Sequence, residues 1–154
     1  MGDELVSGVV FRLANVKRDF PPDSLKLQPS HLGFSEGDRQ EAADKKTAPY
    51  LSVFDIAKCT VGQARIIRPS ENQANGYGFE IEKILAIQVG GLPNLKLSVI
   101  PVPLDPPKSE LPGAIGHCGF FGLQRPEGLP NGKNLYSALR TKVADCSFRL
   151  DDQS

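Results

Sequence analysis

The chain has 154 residues, 40% of them hydrophobic and 23% charged, with 18 basic residues balancing 18 acidic ones. That length suits one domain whose core needs no disulfide or metal to close it. A net charge of zero argues against broad electrostatic binding to nucleic acid or to an anionic membrane.

Three cysteines, Cys59, Cys118 and Cys146, are odd in number and lack CxxC spacing. Free thiols in a reducing, cytoplasmic compartment are therefore expected. The opening Met-Gly-Asp-Glu-Leu-Val has no basic region followed by an apolar one, so no secretory signal is read there. Val6 stands where myristoylation wants Ser or Thr, and no apolar run approaches the roughly 20 residues of a membrane span.

Leu5 to Asn15 alternates as a first strand, with Val9, Phe11 and Leu13 on one face and Val10, Arg12 and Ala14 on the other. Arg12 is read as packing its stem among apolar neighbours, or as an anion-binding residue at a strand end. Residues 16–30 are irregular, broken by Pro21 and Pro22. Ser35 is placed to cap a helix from Glu36 to about Lys46, but large apolar residues are missing there. Residues 36–47 read equally as helix or as an excursion without one.

Tyr50 to Ile56 is a second strand, rich in β-branched and aromatic residues, with Tyr50, Ser52, Phe54 and Ile56 on one face. Thr60 followed by Gln63 is a capping box and predicts a short helix from Val61 to about Ile67, stopped before Pro69. Residues 70–76 read as a polar loop. Tyr77 to Val89 begins as a strand and continues into an apolar run that periodicity does not resolve between strand and helix. Leu95 to Leu104 alternates clearly, and Pro101 with Pro103 places its latter half at a sheet edge. Residues 105–111 form a proline-rich linker.

Leu111 to Leu123 holds a histidine, a thiol, two adjacent phenylalanines and glycines at 113, 116, 119 and 122. It reads as a glycine-permitted bend. After a turn over 124–132, Leu135, Ala138, Leu139, Val143 and Cys146 fall on one helical stripe. Asn131 or Asn134 is the expected cap. Residues 147–150 add a short strand and 151–154 a frayed tail. The pattern implies one α+β domain over 1–150. Its mostly antiparallel twisted sheet has about five strands, with one or two short helices and an amphipathic C-terminal helix.

Zinc would have to use His31, His117 and the three cysteines, and no pair has ligand spacing. A Cys118–His117 dyad is disfavoured because adjacent residues rarely converge across a cleft, which leaves His31 as the distant base a Cys118 nucleophile would need. The glycine run lacks the Gly-Lys-Ser/Thr of a phosphate loop, although Lys133 follows. No cofactor is expected. His31-Leu32-Gly33-Phe34 and His117-Cys118-Gly119-Phe120 share a pattern once, which reads as coincidence.

Phe11-Arg12-Leu13, Tyr50-Leu51-Ser52-Val53 and Glu80-Ile81-Glu82 together resemble ADP-ribosyltransferase-like folds. In those an early strand supplies Arg or His, a middle strand an aromatic or Ser, and a later strand Glu. The resemblance covers three short strings. It implies NAD binding near Arg12 and Tyr50, with Glu80 or Glu82 polarising the ribose.

The leading expectation is different: a non-catalytic cytosolic protein-binding or adaptor module, or an accessory subunit of a larger assembly. Adjacent Phe120 and Phe121 point to opposite faces of an extended segment, so one can act as a contact anchor. His117, Arg125 and Lys133 complete the expected contact set. Nucleic acid is the weaker partner reading, resting on Arg125, Lys133, Arg140, Lys142 and Arg149.

Overall fold

Alternation in the strands has a simple consequence: Val10 and Phe11, adjacent in sequence, belong to separate cores. So do Val53 and Phe54. A sheet with both faces covered lies between those cores. The computed structural model describes residues 3–33, 36–46, 48–126 and 128–151. The expected cap Ser35 and tail residues 152–154 lie outside them.

The strands are β1 (Val9–Asn15), β2 (Leu51–Asp55), β3 (Ala74–Glu80), β4 (Ser98–Pro101), β5 (His117–Phe121) and β6 (Phe148–Arg149). They form one sheet in the order β4-β5-β2-β1-β3-β6. Every neighbouring pair is antiparallel. The helices are α1 (Glu36–Asp44), α2 (Val61–Ile67), α3 (Ile81–Leu85) and α4 (Gly132–Asp145), with short 3-10 turns at Pro29–Leu32, Lys108–Glu110 and Ala114–Gly116. The chain is an α+β fold built on an open antiparallel sheet with a C-terminal helix.

On one face, Leu135, Leu139 and Val143 of α4 join Val10, Leu51, Val53, Tyr77, Phe79, Val99 and Phe120. On the other, Val61, Ala64 and Ile67 of α2 cover Phe11 and Phe54. The box that starts α2 is formed: Gln63 N–H donates to Thr60 Oγ1 (3.1 Å) and Thr60 N–H donates to Gln63 Oε1 (3.0 Å). In α1, Ala42 is the one buried residue among the described side chains, as its charged sequence requires. On α4, Ala138 is exposed, and the buried stripe turns through Ala144 instead.

Two expectations are corrected, and a third, left open between strand and helix, is settled. The polar loop over 70–76 ends at Gln73, because Ala74, Asn75 and Gly76 pair with β1 in the middle of the sheet. The following element breaks at Glu80: Ile81 and Ile84, three apart, are buried as the apolar side of α3. The other correction is larger. The glycine stretch after Leu111 contains β5, which lies between β4 and β2. At Gly119 a Cβ would stand 2.7 Å from the Phe121 ring and 2.9 Å from Tyr50. Glycine here lets two aromatic rings lie against the strand.

Candidate functional site

His117 opens β5 opposite Phe54 of β2. Its side chain shares a sheet face with Ser52, two residues before Phe54 on β2, and diagonal neighbours on one face are within reach of each other. Beside them, Arg68 is the C-terminal cap of α2. Val102 follows β4, and its N–H donates to the His117 carbonyl (3.1 Å).

These four residues form a directed chain of hydrogen bonds. His117 Nδ1 is 2.7 Å from the Val102 carbonyl oxygen, which can only accept, so Nδ1 carries the proton. Nε2 then presents a lone pair, and Ser52 Oγ–H donates to it at 3.1 Å. Arg68 Nη1 donates to the same Ser52 oxygen at 2.8 Å. His117 is 2% exposed. Burial holds its pKa below the ordinary 6.5, and nearby Arg68 pushes the same way, while the Val102 hydrogen bond opposes them. The imidazole is therefore neutral at pH 7. Phe54 meets it edge-on at 5.5 Å and Tyr50 at 6.3 Å between ring centres.

Three adjoining cavities surround this chain. An apolar one of about 320 Å³ is lined by Pro101, Val102, Pro103, Leu104, Ala114, Ile115 and His117. A polar one of about 230 Å³ is lined by Arg12, Asn15, Ser52, Arg68 and Ser70. A third, of about 590 Å³, shares Leu104 with the first and Arg68 with the second. It also borders Tyr50, Glu41, Lys45 and Asp105. Lys45 pairs with Glu41 (3.0 Å) and Asp105 (3.3 Å), so much of its wall charge is already compensated. The result is a groove, apolar at Ile115 and cationic at Arg68.

The residues singled out from sequence divide between two regions. Arg12 sits beside Ser52: its Nη1 donates to the Ser52 carbonyl (3.0 Å) and its Nε to the His31 carbonyl (3.0 Å). It bridges β1 and β2 where their pairing stops after Phe11 and Phe54. Tyr50 borders the groove and packs on Phe121 at 5.2 Å. Glu80 and Glu82 are elsewhere. Glu80 is opposite Val9 and pairs with Lys83 at 3.3 Å, while Glu82 is exposed on α3. Tyr50 precedes β2 at the other end of the sheet, on the order of 20 Å away along the strand direction.

Phe120 is buried in the α4 core, whereas Phe121 is half-buried on the His117 side. Arg125 and Lys133 are exposed, with Lys133 in the first turn of α4 on the opposite face of the sheet from His117. Of the other C-terminal basic residues, Arg140 lies over the Tyr136 ring at 4.2 Å and Lys142 donates to the Gln88 carbonyl at 2.6 Å.

Cys118, next to His117 in sequence, points into the α4 core, and burial pushes its thiol up to about 11. Cys59 is raised to about 11 by the same cause. Neither supplies a thiolate at neutral pH. Among the described residues no group of three His, Cys, Asp or Glu is arranged to hold a metal, and no helix is long and apolar enough to cross a membrane.

The sequence offers Ser52 only as part of the ADP-ribosyltransferase-like resemblance, and gives no sign of Arg68 or Val102 as site residues. One signal was present: Ser52 is the small polar residue on a strand face otherwise made of Tyr50, Phe54 and Ile56. Its pairing with His117, 65 residues on, was hidden because β5 read as a loop. Compared with protein-family models, curated proteins and solved structures, the chain shows no match.

Proposed function

We propose that the chain is a protein-binding module, an adaptor or accessory subunit, that takes a segment of its partner along the groove from Ile115 to Arg68. The observation that carries this reading is Ile115. It is 78% exposed on the lip of an apolar cavity walled by Pro101, Val102, Pro103 and Leu104. An exposed aliphatic side chain beside a preformed apolar hollow favours an apolar side chain as occupant. Arg68 at the other end favours an acidic group on the same partner. Of the two phenylalanines that offered an anchor, Phe120 is buried and Phe121 is engaged with Tyr50, so Ile115 is the better contact. Three free thiols, two of them buried, suit the reducing compartment proposed for it.

The ADP-ribosyltransferase-like reading is not carried forward, since Glu80 and Glu82 stand away from Tyr50 and Arg12. The test is purification of the tagged chain from its native cell. A stoichiometric partner should be retained, lost with Ile115→Asp, and kept with Leu25→Asp, a change at another exposed aliphatic residue. A chain that retains nothing, or equal retention by both variants, overturns the reading.

A further inference from the structure

We propose that Ser52 is a nucleophile for acyl transfer from a small carboxylic ester with an apolar substituent, with His117 as its general base and Arg68 as the cation that takes up the developing oxyanion charge. This goes beyond the binding reading and adds a reaction to part of the same groove. It would replace the non-catalytic character expected from sequence.

The geometry meets the requirements of such a centre one by one. A hydroxyl nucleophile needs a base in hydrogen-bond reach, and Ser52 Oγ is 3.1 Å from His117 Nε2. The base needs the correct tautomer, which the Val102 carbonyl imposes from Nδ1 at 2.7 Å. That carbonyl stands where a carboxylate orients the imidazole in a three-residue charge arrangement. The base must also be unprotonated, and His117 is held neutral by its burial. Charge that develops beside Oγ needs a cation, and the Arg68 guanidinium already touches Oγ at 2.8 Å. Finally, the substrate needs access. Ser52 lines the polar cavity and His117 the apolar one, and the third cavity adjoins the apolar one through Pro103 and Leu104 and the polar one through Arg68 and Pro69. An ester can thus lay its carbonyl against Ser52 and its apolar substituent against Val102, Leu104 and Ile115.

In the acylation step a bond forms between Oγ and the ester carbon. The Ser52 proton passes to Nε2, and the tetrahedral oxyanion leans on Arg68. When the ester C–O bond breaks, the departing alkoxide takes the proton from Nε2. Water then adds to the acyl carbon, giving its proton to Nε2. The C–Oγ bond breaks, the proton returns to Oγ and a carboxylic acid leaves. No oxidant or reductant enters.

The test uses the full chain with a fluorophosphonate probe and with p-nitrophenyl butyrate. One adduct should form, mapped to Ser52, and ester hydrolysis should fall to background in Ser52→Ala. Arg68→Ala should lower kcat/KM about a hundredfold, and His117→Gln should slow adduct formation by at least about a hundredfold. The labelling rate of the unaltered chain should rise with pH as the imidazole loses its proton, below 6.5, and level off above. A purely structural role for the dyad predicts no such profile, and this readout does not depend on whether a His117 variant folds. No adduct on Ser52, or undiminished hydrolysis by folded Ser52→Ala, overturns the proposal. Partner retention lost in Ile115→Asp would leave the binding reading standing whichever way the probe experiment goes.

Discussion

His117 and Ser52 are 65 residues apart in the chain, yet the Ser52 hydroxyl lies 3.1 Å from the His117 ring nitrogen Nε2. The contact exists because β5 pairs with β2 in a register that sets Phe54 opposite His117 and Ser52 opposite Gly119. The first consequence is a pH dependence of folding. Burial lowers the folded pKa of His117 below 6.5, and His31 is lowered by burial too. Between those folded values and 6.5 the unfolded chain binds more protons than the folded one, so stability rises with pH. The full contribution is present above 6.5 and is lost progressively as pH falls to the folded values, below which it levels off. Urea denaturation at pH 7.5 should give a higher midpoint than at pH 5, and His117→Gln should shrink the difference without abolishing it.

Arg12 is predicted to act as a structural tie. Its guanidinium satisfies the carbonyls of Ser52 and His31 where β1 and β2 separate. Arg12→Leu keeps much of the buried stem but leaves those carbonyls without this donor. Hydrogen bonds to a charged group contribute about 1.5–3 kcal/mol, so a loss of about 2 kcal/mol is expected. Arg12→Lys should recover part of it, and chemical denaturation with an unchanged m-value is the check.

Gly119 should resist enlargement more than Gly90 does. A Cβ at Gly119 would press on Tyr50 and Phe121 at under 3 Å, whereas one at Gly90 meets nothing within 4 Å. Gly119→Ala should cost about 1–3 kcal/mol, the range for overpacking a core. Gly90→Ala should change the thermal midpoint little. Equal midpoints for the two variants would contradict the packing seen around β5.

The thiols should react in a definite order. Cys59 and Cys118 are buried and raised to about 11, while Cys146 is half-buried. Ellman's reagent at pH 8 should modify Cys146 first in the native chain, with the other two following only as denaturant unfolds it. Fast native modification of Cys118 would show that its side chain does not lie in the α4 core.

Short-range physics made much of this fold legible. Thr60 and Gln63 announce α2 because a capping box needs residues only three apart. Leu135, Leu139 and Val143 announce α4 because one turn of helix repeats the apolar face. Pro101 announces an edge because it has no N–H to donate, and β4 is the edge. What local pattern did not reveal was β5. Its glycine matches a loop in propensity but serves to admit the rings of Tyr50 and Phe121. Asn75 and Gly76 likewise match a loop in propensity, although partners on β1 hold them in β3. The site followed the same division. Residue type and strand geometry suffice to put His117 in the expected contact set and to send adjacent Phe120 and Phe121 to opposite faces. That His117 meets Ser52, and Ser52 in turn Arg68, depends on which strands pair and in what register, a property of the whole sheet that no local pattern carries.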